Sequence, residues 1–189
     1  MHDVTIVFIH GYTASHLADW YPTISPKLDA LGIPYVIPDL PGNEHPHASE
    51  WLATLHTAIS TIRTPIVLVG HSLGSRAALL YLEKYRPNVK TVLLIAAFNN
   101  NTANGKRNEG KSYPDFFDHT IDLTTLTPLV GEFVVMHSKD DDSIPYAQGV
   151  EIAKDLHADL VTYEDRSHFS APENAPYILK ELQKKLQIS

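Results

Sequence analysis

The chain has 189 residues, enough for one domain with a substantial core and too few for two of ordinary size. A formal charge of −7, with no clustered Lys or Arg, argues against binding of a phosphate backbone, and a composition of 43% hydrophobic and 20% charged residues is that of an ordinary globular protein. The absence of cysteine excludes disulfides, thiolate metal sites and a cysteine nucleophile.

Met1-His2-Asp3 leads straight into an apolar run, without the basic n-region and long apolar h-region of a signal peptide. No apolar stretch approaches the roughly 20 residues that span a bilayer. A cytoplasmic protein without membrane contact is therefore expected. Val4 to Ile9 is β-branched and reads as a buried strand ending at His10-Gly11. Trp20 to Leu31 has helical spacing and stops at Gly32, a good residue for a helix C-terminus. Ile33 to Ile37 reads as a short strand, ended by Pro38-Asp39 and the turn signal Pro41-Gly42. Apolar residues at 51, 52, 55, 58, 59 and 62 place a helix over Ser49 to Ile62. A third strand at Ile66 to Val69 precedes an Ala- and Leu-rich helix from Leu73 to Tyr85. Strands follow at Thr91 to Ala97 and Phe133 to His137, then a helix from about Pro145 to Leu156, a sixth strand at Leu160 to Tyr163, and a final helix from about Glu173 to Leu186.

Uniformly apolar strands, each followed by a helix, predict an α/β fold with a mostly parallel six-stranded sheet, doubly wound with helices on both faces. Ligands of such sheets bind beyond the C-terminal ends of the strands. One connection interrupts the alternation. Asn99 to Lys111 is polar, and Tyr113-Pro114-Asp115-Phe116-Phe117 follows it. A link of about 30 residues in a small domain is usually functional or mobile. Residues 98–128 are therefore read as a short cap or lid, with a disordered surface insertion as the alternative.

The third strand runs into Gly70-His71-Ser72-Leu73-Gly74, a Gly-x-Ser-x-Gly sequence. A serine on a tight strand-to-helix turn is exposed at the sheet edge and sits at a helix N-terminus, where developing negative charge is favoured. Glycines two residues before and after remove side chains that would collide in the turn. The five-residue pattern arises by chance in chains of this size, but the strand before it and the helix after it are the setting that nucleophile chemistry requires. Ser72 is the candidate nucleophile.

A serine nucleophile needs a general base, and the base needs a carboxylate to hold its tautomer. With the order Ser, acid, His, four histidines qualify as base. His119 falls in the expected cap, His137 inside a strand and His157 at a helix end. His168, in Asp165-Arg166-Ser167-His168-Phe169 after the sixth strand, faces the active edge and is chosen. The acid should follow the fifth strand, where Ser138-Lys139-Asp140-Asp141-Asp142-Ser143-Ile144-Pro145 offers three consecutive carboxylates. Mutual repulsion keeps all three from sharing one pocket. The pattern Asp-x-x-(Val/Ile)-Pro selects Asp141, leaving Asp140 and Asp142 to N-capping or solvent. The backbone N–H groups of Leu73 and Tyr12 are the expected oxyanion donors. Gly11, His71 and Phe169 are expected to bind substrate. His10 is read as shaping the turn after the first strand.

Taken together and in order, His10-Gly11-Tyr12 with Trp20 soon after, Gly-His-Ser-Leu-Gly, Ser-Lys-Asp-Asp and Ser-His-Phe resemble the small bacterial serine hydrolases of the family that also includes retinoblastoma-binding protein 9. The resemblance spans essentially the whole chain. It implies a compact α/β-hydrolase fold, a Ser72, Asp141 and His168 triad, and esterase-like activity on a small-molecule ester. It also brings an alternative, a protein-interaction module on a hydrolase fold with little activity, although nothing in the sequence marks a protein partner. The chain departs from the family pattern at Asp142 and in its Asn-rich stretch. Glu44-His45-Pro46-His47 lacks a third ligand and a helical spacing, so no metal is expected. No Gly-rich phosphate loop carries a Lys, and no cofactor is expected.

Overall fold

The computed structural model describes residues 4–100 and 113–187. Six strands, β1 (Thr5–Ile9), β2 (Tyr35–Val36), β3 (Ile66–His71), β4 (Val89–Ile95), β5 (Val130–Ser138) and β6 (Asp159–Tyr163), form one sheet in the order β2-β1-β3-β4-β5-β6. Every pairing is parallel. The helices are α1 (Tyr21–Ala30), α2 (Ala48–Ser60), α3 (Leu73–Tyr85), α4 (Tyr146–Asp155) and α5 (Ala175–Leu186). The expected α/β fold, with a doubly wound, six-stranded parallel sheet, is present among the described residues.

The period-2 geometry of the strands divides the core into two layers. Val7, Ile9, Leu68, Val92, Leu94 and Val135 point to one face, where α2, α3 and α4 cover them. Their neighbours Ile6, Phe8, Val67, Val69, Leu93, Val134 and Met136 point to the other, against α1 and α5. Because both faces are covered, the central strands carry no polar alternation. Each large apolar side chain buried this way is worth about 1.5–3 kcal/mol.

The elements differ from the sequence reading at their ends. β2 is confined to Tyr35–Val36, between Pro34 and Pro38, which cannot donate to a ladder. Ile33 instead closes α1, its N–H bonding the Leu28 carbonyl at 3.0 Å. β5 begins at Val130, three residues before the expected start. Gly131 is required there, since a Cβ would lie 2.8 Å from the Lys90 carbonyl oxygen of β4.

Between β4 and β5, residues 101–112 of the expected cap lie outside the described residues. Residues 113–129 form three short 3-10 helices, Pro114–Phe117, Leu123–Thr125 and Thr127–Leu129. Tyr113, Phe116, Ile121, Leu123 and Leu126 are buried in the same core layer as α2 and α3. Arg76 of α3, itself buried, holds this segment: Nε donates to the Phe116 carbonyl at 2.7 Å, Nη2 to the His119 carbonyl at 2.7 Å and Nη1 to Asn99 Oδ1. Burial lowers the Arg76 pKa to about 10, so the guanidinium stays charged at neutral pH. Among the described residues, no helix is long and apolar enough to cross a membrane.

Candidate active site

Four strand ends converge on Ser72. The serine sits between β3 and α3 at φ 56°, ψ −120°, a sparsely populated conformation that costs on the order of 1–3 kcal/mol. The surroundings enforce it. A Cβ on Gly70 would lie 2.6 Å from Ser75 Cα, and one on Gly74 would lie 2.0 Å from the Ile9 carbonyl oxygen, so neither position accepts a side chain. The Ser72 N–H donates to the Ile95 carbonyl of β4 at 2.9 Å. Ser75 ties the turn together, its hydroxyl donating to the Gly70 carbonyl at 2.7 Å.

His168 Nε2 lies 2.8 Å from Ser72 Oγ, and its Nδ1 lies 2.9 Å from Asp141 Oδ2 and 3.1 Å from Oδ1. Asp141 Oδ1 also accepts the N–H groups of Ser143 and Ile144, both at 2.8 Å. Burial pushes the Asp141 carboxyl up. The contacts from His137 and His168, the His168 charge and the Ile144 amide outweigh it and hold the group well below the usual carboxylate range. Nδ1 therefore carries the hydrogen that faces the carboxylate, and Nε2 presents its lone pair to the serine hydroxyl.

The loop carrying His168 is pinned at each neighbouring residue. Ser167 and Phe169 have φ of 48° and 59°, so the histidine stands between two left-handed residues. Asp140 Oδ1 accepts the Ser167 N–H at 2.8 Å and the Ser138 hydroxyl at 2.5 Å. This corrects the expectation that Asp140 caps a helix or faces solvent alone: it fastens the β6 loop to the end of β5. Asp142 is exposed and accepts a local bond from the Ser143 hydroxyl at 3.3 Å.

The residues expected to bind substrate are placed differently. His71 is 2% exposed; its Nε2 donates to the His168 carbonyl at 2.8 Å and its Nδ1 lies 3.3 Å from Asp19 Oδ2. It supports the histidine loop from beneath, and its burial corrects the reading of it as a substrate contact. Phe169 is fully buried in the α1/α5 layer, its ring 5.5 Å from that of Tyr163, and is likewise a packing residue. Gly11 does lie against Ser72: a Cβ there would approach Ser72 Cβ to 3.3 Å. The loop bearing Tyr12 thus runs against the serine, and Tyr12 is fixed by its hydroxyl bond to the Glu44 carbonyl at 2.8 Å. His10 bridges two loops, Nδ1 donating to the Gly11 carbonyl and Nε2 accepting the Leu40 N–H, both at 2.9 Å. Its burial lowers its pKa.

Of the other histidines after Ser72, His119 pairs with Glu83 at 2.7 Å, and His157 follows α4 at φ 52°. His137 lies within β5, fully buried, beside Asp141. Among the described residues, no group of three His, Asp or Glu side chains gathers as a metal site, and His47 of the Glu44–His47 stretch faces Asp115 at 3.4 Å.

Comparison with known proteins places the chain in a family. YdeN of Bacillus subtilis (strain 168) is 28% identical over 176 residues, covering 89% of this chain and 87% of its own. The serine hydrolase RBBP9 of Rattus norvegicus is 26% identical over 164 residues, covering 86% and 83%. The crystal structure of the B. subtilis ydeN gene product superposes with a TM-score of 0.86 at 26% identity, over 97% of this chain and 98% of that one. The mouse alpha/beta hydrolase domain-containing protein 10 shares the fold, with a TM-score of 0.79 at 15% identity, over 97% and 89%. The serine hydrolase family model matches residues 6–177, from β1 into α5 and across Ser72, Asp141 and His168, and the chain belongs to that family.

Proposed function

We propose that the protein is an acyl hydrolase acting on small carboxylic esters through an acyl-enzyme on Ser72. The observation that carries this reading is the continuous chain from Ser72 Oγ to His168 to Asp141, with the serine on a strained turn. As Ser72 Oγ attacks the ester carbonyl carbon, its proton passes to His168 Nε2. Asp141 stabilises the resulting imidazolium. The tetrahedral oxyanion takes hydrogen bonds from the backbone N–H groups of Leu73, the first residue of α3, and Tyr12, each worth about 3–4 kcal/mol in such sites. The C–O bond to the leaving alcohol breaks, and the alkoxide takes the proton from His168. Water then attacks the acyl carbon, its proton goes to His168, and the tetrahedral intermediate collapses. Ser72 leaves, recovers that proton, and the carboxylic acid is released. Every step uses this chain's groups and water.

The preference for small esters rests on the β4–β5 connection. Its described residues form only 3-10 helices packed into the α2/α3 layer, rather than a helical cap. The absence of a membrane-crossing helix among the described residues accords with a cytoplasmic enzyme, which we also propose. Turnover of p-nitrophenyl acetate, butyrate and octanoate by wild type and Ser72→Ala tests the activity. Turnover that falls with chain length and vanishes in Ser72→Ala is expected. Equal rates for the two proteins, or none for wild type, would overturn the reading.

A further inference from the structure

We propose that His137 is a positioning residue for Asp141, a fourth member of the Ser72–His168–Asp141 chain that sets the carboxylate's place and charge. The inference rests on the acyl-enzyme reading above. His137 is fully buried in β5, four residues before Asp141. Its Nε2 donates to the Ile144 carbonyl at 3.1 Å and lies 3.4 Å from Asp141 Oδ2. Two oxygen acceptors on that side fix the hydrogen on Nε2.

The Ile144 peptide is thereby held from two directions. Its N–H donates to Asp141 Oδ1, and its neighbour's carbonyl side is anchored through the Ile144 oxygen to His137. The turn that gives Asp141 two amide donors is closed underneath by the His137 ring. The His137 Nε2–H also points its positive end toward Asp141 Oδ2, the oxygen 2.9 Å from His168 Nδ1.

The fold makes room for this ring at a cost. Gly149 sits in the middle of α4, where glycine is less favourable than alanine by roughly 0.5–1 kcal/mol. A Cβ there would lie 2.4 Å from His137 Nδ1. Nδ1 itself is buried with no hydrogen-bond partner among the described residues. An aliphatic side chain would fill a strand interior without either cost, so the ring's contribution lies on its Nε2 side. The titratable groups facing His137 are Asp141 from the β5–α4 loop and Tyr146 from α4, the latter with its ring edge-on at 5.8 Å. His168 is faced by Asp141, Ser72 and His71, among the described residues.

The test compares wild type, His137→Leu, His137→Gln and Gly149→Ala. Concentrations are set by fluorophosphonate active-site titration, so that only folded, competent sites are counted. Removing the donor concentrates charge on the Asp141 oxygen facing His168 and strengthens its hold on the imidazolium. His137→Leu should lower kcat about tenfold with little change in KM, and move the acidic limb of kcat/KM upward by about half a pH unit. His137→Gln, whose amide can donate to the Ile144 carbonyl, should recover most of the loss. Gly149→Ala, which displaces the ring without deleting it, should show the same signature at smaller amplitude, and carries the test if His137→Leu fails to fold. Variants with wild-type kcat per titrated site, or a limb that stays or moves down, would overturn the role of His137 while leaving the acyl-enzyme reading intact. A wild type that does not titrate would overturn both.

Discussion

Asp141→Asn is the most exacting perturbation of the site, because every contact of the carboxylate is defined. Oδ1 accepts two backbone amides at 2.8 Å, so an asparagine side chain must keep its oxygen there. Its NH2 then replaces Oδ2 and points at His168 Nδ1, which lay 2.9 Å away. A donor facing Nδ1 forces the hydrogen of His168 onto Nε2, and the ring can no longer take the Ser72 proton. The loss expected for a wrong-tautomer histidine is about 10⁴-fold in kcat, or about 5.5 kcal/mol of barrier. The same NH2 confronts the His137 Nε2–H, so the variant should also lose stability. Steady-state hydrolysis of p-nitrophenyl acetate is the assay, with Asp142→Asn as the control. Asp142 is exposed, and its substitution should change kcat by less than about twofold. A severe loss in Asp142→Asn together with a mild one in Asp141→Asn would refute the assignment of the acid.

Gly74→Ala forces a Cβ to within 2.0 Å of the Ile9 carbonyl oxygen and should cost about 3 kcal/mol or more, lowering Tm by about 10 °C in a thermal melt. Asp140→Ala frees the Ser167 amide and should reduce kcat several-fold with KM unchanged, far less than Asp141→Asn, in the same ester assay. Because the folded state holds the Asp141 carboxyl below its unfolded value, its ionised form stabilises the fold above that unfolded value of about 3.9, and the gain is lost as pH falls further through the folded value. The Tm difference between wild type and Asp141→Asn should therefore be largest at neutral pH and shrink on acidification toward pH 3. Arg76→Met strips donors from the Phe116 and His119 carbonyls, and hydrogen exchange should show faster amide exchange across residues 113–121 with β3 and β4 unaffected.

The sheet could be read from the sequence because its central strands are buried on both faces and carry uninterrupted apolar runs rich in β-branched residues, as in Ile66–Val69. The start of β5 could not. Gly131 and Glu132 are poor strand formers, and the reason for the glycine is a close carbonyl from β4, a neighbour 41 residues away in sequence. That Ser72 and His168 meet was legible because each lies on a local turn after a strand. The Asp-x-x-(Val/Ile)-Pro pattern picked out Asp141 as the carboxylate that meets His168, but the part played by Asp140 was not legible, since it depends on which way the turn presents each carboxylate. Asp140 meets Ser167, and His71 meets the His168 carbonyl, across separations of 27 and 97 residues. Periodicity carries no trace of such contacts. His71 and Phe169, which adjoin Ser72 and His168 in sequence, were expected at the substrate, but the left-handed backbone at residue 169 and the turn at residue 72 send their side chains inward. The sequence reading of His137 as a strand residue described its place and missed its Nε2 contacts.

The central claim is that Ser72 is a nucleophile activated by His168. Intact mass spectrometry after incubation with a fluorophosphonate probe tests it directly. Wild type should gain the mass of a single phosphonyl adduct, mapped to the peptide containing Ser72, and Ser72→Ala should gain none. No adduct on folded wild type, or an adduct that persists in Ser72→Ala, would contradict the account.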